Sequence, residues 1–313
     1  MRNHRPSATA HVIAASTVFL SHDPRYAPLI PDLAVEASIW FMQACSRVSP
    51  RLIGLMQRHW FRAAVAAWEH ATVPGIMLHY LLRKCWLENH VRTRIAAGTD
   101  QIVILGGGFD TLALRLHREF SNVHFVEVDH PATQQAKRMA LEGRSLLGTN
   151  ISFVAADLTQ ENWEKGFLSQ SEFRHQADTL IIAEAVLMYL EPKHIDAIFQ
   201  FLRQHTNQRS RFLFTFMESR PNGTTSFHNA TWLLNIWLKW RGEPFTWGIR
   251  RDALGSFLRD RDFALRELTT SESLHSRHCN AESTSPPIAK GELMCVAERV
   301  GLQSDFLACE CAP

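Results

Sequence analysis

The sequence is short of the features that would place it at once. Its 33 basic and 31 acidic residues leave a net charge of +2, and no dense basic run accompanies them, so nothing argues for a nucleic-acid partner. The six cysteines are scattered and form no C-x-x-C pair, which excludes a zinc ribbon or a disulfide scaffold and fits a reducing, cytoplasmic compartment. Cys309 and Cys311 sit in the tail and read as idle. The 16 histidines contain no H-x-x-x-H or H-E-x-x-H spacing, and no acidic triplet suits Mg²⁺, so no metal is expected. No apolar run approaches the roughly 20 residues of a membrane span. The apolar stretch Ala8 to Leu20, after Arg2 and Arg5, is interrupted by His11, Ser16 and Thr17 and lacks a small-x-small cleavage site; it reads as part of the protein rather than as a secretory leader. There is no internal repeat and no low-complexity segment.

What is present is a change of rhythm near Gly98. Residues 25 to 98 carry apolar residues at helical spacing, over Asp32 to Cys45, Leu52 to Trp68 and Ile76 to Ala97, punctuated at Pro74-Gly75. Beyond Gly98, short β-rich runs (Ile102–Leu105, His124–Val128, Ser152–Ala155, Thr179–Ala183, Arg211–Met217) alternate with helices starting near Asp110, Pro131, Asn162 and Pro192. That alternation predicts βαβ units and a buried parallel sheet, with any ligand at the carboxyl ends of the strands. Thr231 to Trp240 is a strongly apolar helix outside the alternation. Arg251 to Arg259 reads as helix, Phe263–Leu268 and Leu293–Glu298 as closing strands, and Thr269 to Pro287 as a polar loop between them.

Chemistry gathers at the strand ends. The first strand runs into Gly106, Gly107 and Gly108, where backbone without Cβ atoms lets a ligand approach closely. Asp110 is placed to cap the following helix. Phe125-Val-Glu-Val-Asp129 ends in an acid about 20 positions on, where a carboxylate can bond both hydroxyls of a ribose. Two cofactor classes share this pattern, nicotinamide dinucleotides and S-adenosylmethionine (SAM). The dinucleotide fingerprint wants a third glycine where this chain has Thr111. SAM needs no phosphate cradle. It needs acceptors for an ammonium, a cation for a carboxylate and a slot for adenine. Asp157 and Leu158 after the third strand suit the adenine, and Glu184 after the fourth suits the cationic end, unless it pairs with an arginine of the helical segment. Tyr189 is placed to face a substrate.

At these residues the chain resembles the leucine carboxyl methyltransferase family. VILGGGFDTLALRL, HFVEVDHPATQQAKR, AADL and LIIAEAVLMYLEP follow the family's order over about residues 75 to 200, and GEPFTWG with LMCVAER resembles its bacterial branch. The family's glycine motif is usually G-A-G; the G-G-G here keeps the middle residue small. The resemblance implies an α/β fold: a class I SAM-methyltransferase Rossmann-like sheet, mostly parallel with the last strand antiparallel, plus helical N-terminal and inserted lid segments. It divides the chain into a helical cap (1–98), a SAM-binding core (99–220), an inserted lid (221–250) and a C-terminal completion of the sheet with a tail (251–313). It implies that Gly106, Gly107 and Gly108 line the methionine part of SAM, Asp129 the ribose, Asp157 and Leu158 the adenine, and Glu184 the amino group. The SAM carboxylate falls to Arg83, although this chain has Arg83-Lys84 where the family commonly shows Arg-Thr.

The activity so implied is SAM-dependent O-methylation of a carboxylate or hydroxyl on a small lipophilic metabolite, as in secondary metabolism, with S-adenosylhomocysteine as product. No His–Asp or Lys–Asp pair in the motifs offers a base, which favours a carboxylate or a relatively acidic hydroxyl. Trp232 and Trp237 of the inserted helix, with Tyr189, are the acceptor-side candidates. An NAD(P) oxidoreductase and a non-catalytic SAM-binding protein are the competing readings. The expected assembly is a monomer or homodimer without nucleic acid or membrane span.

Overall fold

The computed structural model describes residues 6–45, 50–278 and 286–300. Five helices come first: α1 (Ala8–Leu20), α2 (Asp32–Ala44), α3 (Pro50–Leu55), α4 (His59–Thr72) and α5 (Ile76–Ala96). Alternation follows through β1 (Gln101–Leu105), α6 (Leu112–Glu119), β2 (His124–Asp129), α7 (Pro131–Leu141), β3 (Ile151–Ala155), α8 (Trp163–Gln170), β4 (Thr179–Ala183), α9 (Pro192–His205) and β5 (Arg211–Met217). The chain ends with α10 (Trp232–Arg241), α11 (Leu254–Arg259), β6 (Phe263–Thr270), α12 (Ser271–His278) and β7 (Glu292–Arg299). Cys279, Cys309 and Cys311 lie outside the described residues.

The seven strands lie in the order β3-β2-β1-β4-β5-β7-β6. All run parallel except β7, which is antiparallel to β5 and β6. The expected sheet, with an antiparallel last strand, is the one observed. Every residue of β1 is buried, because Val103 and Leu105 face one helical layer while Ile102 and Ile104 face the other. Phe167 and Trp163 of α8, Ile195 and Phe199 of α9, and Leu254 and Leu258 of α11 cover the first face. Leu78, Leu82 and Trp86 of α5, with Leu112 and Leu116 of α6, cover the second. α1 and α2 lie outside this second layer, where Ala10, Ala14 and Val18 pack with Phe41 and Phe109.

Two boundaries depart from the pattern read in the sequence. The helix expected from Asp110 starts at Leu112, because the Asp110 carboxylate stays outside to accept the N–H groups of Thr111 and Leu112. The loop expected over 269–287 is instead, in its described part, the end of β6 followed by α12. Thr270 and Ser273 cap that helix reciprocally, each hydroxyl accepting the other's backbone N–H at 3.2 Å. Leu274 is its one hydrophobic side chain in the core and Ser271 is buried against His79, so the polar composition concealed it.

Gly75 opens α5 at φ 78°, and a Cβ there would come within 2.1 Å of the Pro287 carbonyl oxygen. Both the left-handed backbone and the lack of space demand glycine. Gly75→Ala is therefore expected to destabilise the protein by about 2–3 kcal/mol, read as a lowered urea midpoint at unchanged slope.

Candidate functional site

The strand order reverses between β1 and β4, and the crevice at their carboxyl ends is where an open α/β sheet binds ligands. Ile104 pairs with Ile182, so Gly106 and Glu184, each two residues on, leave the sheet side by side. A cavity of about 440 Å³ opens there. Gly106, Gly107, Gly108, Asp129, Asp157, Leu158, Glu184, Arg83 and Tyr189 all line it. The tertiary fold thus brings together nine residues spread over more than 100 positions of sequence.

The glycine turn is shaped by its neighbours. Gly106 and Gly108 have φ of 67° and 53°. A Cβ on Gly106 would lie 2.4 Å from a Val186 methyl, and one on Gly107 would lie 2.4 Å from Glu127 Cγ. The middle position is therefore tighter than "small" in this chain. Glu127 is held beneath it by Lys137 Nζ at 2.6 Å, both fully buried, and burial pushes the Glu127 carboxyl up to about 7. Asp129 accepts the backbone N–H of Gly108 and that of His130, and burial raises its pKa. Its carboxylate thereby borders both the turn and the cavity.

Asp157 is fixed by Thr159, whose N–H and hydroxyl donate to Oδ1 at 2.9 and 2.7 Å. Burial alone would raise its pKa, but these bonds outweigh it and keep the carboxylate ionised. Leu158 is buried beside it and lines the cavity.

Glu184 does find partners in the helical segment. Arg83 Nε donates to Oε1 at 2.8 Å and Lys84 Nζ to Oε2 at 2.6 Å. Lys84 also reaches Asp110 Oδ2 at 3.1 Å. Arg83 Nη1 donates to both oxygens of Glu292 at 2.8 and 2.6 Å. His79, one turn earlier on α5, sits 2.6 Å from Glu292 through Nε2 and 3.0 Å from Ser271 Oγ through Nδ1. Arg83 and Lys84 thus bond three carboxylates between them, Asp110, Glu184 and Glu292. Burial would raise the pKa of Asp110 and Glu292, yet each is held down to about 2: Asp110 by Lys84, Lys137 and Arg115, Glu292 by Arg83 and His79. Arg83 Nη2 is buried and has no hydrogen-bond partner. Directly after Glu184, Ala185 has φ 52°, a strained conformation for alanine that its N–H bond to Thr215 Oγ1 helps to hold.

Several site residues were not found from the sequence. Lys84 and Asp110 join the ion network, and Ser7, Thr9, Ala10 and Ile13 of the first helix line the cavity. Glu243 caps α1 from the far side, accepting the N–H groups of Ala8 and Thr9 at 2.8 and 3.0 Å and the Thr9 hydroxyl at 2.6 Å. The GEPFTWG segment was the signal for it, without a role attached. The signal for α1 was the apolar stretch Ala8 to Leu20.

A second cavity of about 360 Å³ adjoins the first and shares Thr9, Ile13, Arg83, Ala185 and Tyr189 with it. Its wall is apolar and includes Trp237, Leu234 and Leu238 of α10 and Phe61, Val65 and Trp68 of α4. Trp232 lines neither cavity and is 68 % exposed, because it occupies the outward side of α10. Among the described residues no group of three or more histidine, cysteine or acidic side chains could hold a metal ion. None of the described helices is long and apolar enough to cross a membrane.

The residues suit a nucleoside carrying a cationic tail and do not suit a pyrophosphate. The carboxylates of Asp110, Asp129, Asp157, Glu184 and Glu243 line the cavity against Arg83 and Lys84, which favours positive charge, and the α6 N-terminus, where a dinucleotide phosphate would sit, is already filled by the Asp110 carboxylate.

Comparisons with known proteins agree with this reading. The family model described as leucine carboxyl methyltransferase matches residues 8–203. A Mycolicibacterium vanbaalenii protein, provisionally named an S-adenosyl-L-methionine-dependent methyltransferase, is 28% identical over 192 residues, covering 61% of this chain and 60% of its own. Leucine carboxyl methyltransferase 1 of Candida albicans is 26% identical over 202 residues, covering 56% of this chain and 54% of its own. The chain thus spans little more than half the length of these relatives. A crystal structure from Thermobifida fusca YX, provisionally named a methyltransferase, superposes with a TM-score of 0.52 at 14% identity, covering 84% of this chain and 94% of that one; it shows the shared fold.

The ion network sets an acid limit on stability. Glu292 falls from 4.5 to about 2 on folding, so its contribution is full above about pH 4.5 and is lost as the pH falls towards 2. Glu292→Gln is expected to cost on the order of 3 kcal/mol at pH 7. The difference from the parent should shrink to nothing near pH 2, as measured by urea unfolding across pH.

Proposed function

The chain belongs to the leucine carboxyl methyltransferase family, and from that premise we propose that it is a SAM-dependent O-methyltransferase acting on a small lipophilic acceptor. The observation that carries this reading is the pairing of two cavities: one with a glycine cradle and an excess of carboxylate, and a more apolar one joined to it at Arg83, Ala185 and Tyr189. In this assignment Asp129 binds the ribose hydroxyls, and Asp157 with Leu158 holds the adenine. Gly106, Gly107 and Gly108 border the methionine chain. Glu184 faces the ammonium. Lys84 Nζ and the unpartnered Arg83 Nη2 are the cations available to its carboxylate.

Bound SAM supplies an activated methyl on a sulfonium centre, open to in-line displacement. The protein's own part is to position, desolvate and neutralise. Burial pushes the Tyr80 and Tyr189 phenols well above their ordinary pKa, so both remain protonated and offer O–H donors to an acceptor oxygen. The carboxylates bordering the apolar cavity are already engaged, Glu69 with the Met77 N–H and Glu292 with Arg83 and His79. An acceptor carboxylate, ionised at neutral pH, needs no base, whereas a hydroxyl would have to pass its proton to Glu69, whose pKa burial raises. This favours a lipophilic carboxylic acid. The dinucleotide alternative loses its support at α6, where Asp110 takes the place of a phosphate.

Calorimetric titration with SAM, S-adenosylhomocysteine and NAD(H) tests the cofactor. Micromolar binding of the first two is expected, weakened at least about tenfold in Asp129→Ala, since each lost charge-assisted hydrogen bond is worth about 1.5–3 kcal/mol. Binding of NAD(H) alone would overturn the reading. For the acceptor, Trp237→Ala should raise KM for a methylated lipophilic acid several-fold while SAM affinity stays within about twofold, as the residue lies on the apolar cavity only. Tight SAM binding without turnover of any acid or hydroxyl acceptor would point to a binding protein instead.

A further inference from the structure

The helices that roof the apolar cavity leave their outer faces uncovered. α4 has no fully buried residue. Its inner side lines the cavity, while Trp60 and Trp68 stand 64 % and 62 % exposed with Ala64, Ala67 and Ala71 exposed between and beyond them. On α10, Trp232, Ile236 and Trp240 are 68 %, 55 % and 66 % exposed. The two helices are joined: Thr231 donates its N–H to Thr72 O and its hydroxyl to Ala71 O, each at 2.8 Å. The C-terminal end of α4 and the N-terminal end of α10 therefore meet. Among the described residues, the four tryptophans that are more than half exposed all lie here.

The exposed charges on and beside these two helices are cationic, while Arg62 of α4 is paired with Asp23 at 3.7 Å. Arg58 and Lys239 are exposed, and the Arg241 guanidinium stacks 4.5 Å over Trp240. The one acid in either helix, Glu69, is half-buried and accepts the Met77 N–H at 2.9 Å. A face-to-face contact between two copies would bring only like charges together. Tryptophan beside exposed cations, with no exposed carboxylate on either helix, is the composition that settles at the boundary of an anionic bilayer.

We propose that α4 and α10 dock this protein on the surface of an anionic phospholipid bilayer. Tryptophan side chains enter the headgroup layer and the cations meet lipid phosphates, without any segment spanning the bilayer. Trp68 is both exposed on this face and part of the cavity wall, so docking brings lipid against the rim of the apolar cavity. Resting on the proposed methyltransferase activity, a lipophilic acceptor then passes from bilayer to cavity without crossing water.

The test is co-sedimentation of the full chain with vesicles of phosphatidylcholine alone and of equal phosphatidylcholine and phosphatidylglycerol. Two double variants, Trp232→Gln with Trp240→Gln and Arg58→Glu with Lys239→Glu, are compared. The parent is expected to bind the anionic vesicles, at least about tenfold more weakly without anionic lipid, and both variants to lose at least about tenfold. SAM titration of the same preparations reports the fold of the variants and tests the activity reading separately. Vesicle binding without SAM binding would sink the methyltransferase assignment and leave the docking. The docking is overturned if the parent stays in the supernatant with anionic vesicles, or if both variants bind as the parent does. A dimer in solution that the tryptophan variant dissolves would overturn it too, since a second copy would then own the face.

Discussion

Arg83 is the residue on which the site depends. Its guanidinium is nearly inaccessible to water, and such a charge is tolerated in a protein interior only when its donors are met. Glu184 and Glu292 meet its Nε and Nη1 donors, and only Nη2 is left without a partner. Those carboxylates stand at the end of β4 and the start of β7, while Arg83 stands in the middle of α5. One buried charge thus ties the N-terminal helices to both the ligand-binding end of the sheet and its antiparallel strand. Lys84 extends the tie to Asp110, and His79 extends it to Ser271. Removing Glu292 would leave Arg83 with Glu184 alone, and removing Glu184 would leave Arg83 and Lys84 one carboxylate each.

The same accounting organises the glycine turn. Gly107 has no room for a side chain because Glu127 lies against it, and Glu127 can lie there because Lys137 reaches it from α7. Lys137 also donates to the Asp110 carbonyl, so one ammonium braces the turn from below. Asp129 braces it from the side through the Gly108 N–H. A turn held this firmly is pre-organised for a ligand, which lowers the ordering cost of binding.

Closure over the site comes from the two ends of the helical material. α1 passes over the cavity mouth, and its N-terminal N–H groups are received by Glu243, just beyond α10. A carboxylate at a helix N-terminus is favoured by both hydrogen bonding and the helix dipole. Segments more than 230 residues apart in sequence thereby share one lid. α10 has an inner side that lines the apolar cavity and an outer side that does not, which is why Trp237 and Trp232, five positions apart, have different surroundings.

The sheet, the order of its helices and the ends of the strands at which a ligand would sit were legible because they follow from local pattern. Apolar runs of five, glycines after β1, and acids closing β2, β3 and β4 are short-range signals with a fixed structural meaning. The family motifs gave them a shared direction. The tertiary structure decided the pairings: Arg83 with Glu292 across 209 positions, Glu243 with the first turn of α1, and Thr231 with the end of α4. Nothing local marks such partners, since a carboxylate in a polar stretch reads the same whether it caps a helix, neutralises a buried arginine or faces water. Periodicity likewise found the α10 helix but not which of its tryptophans faces inward. That depends on how the helix is rotated against α4, which only packing sets.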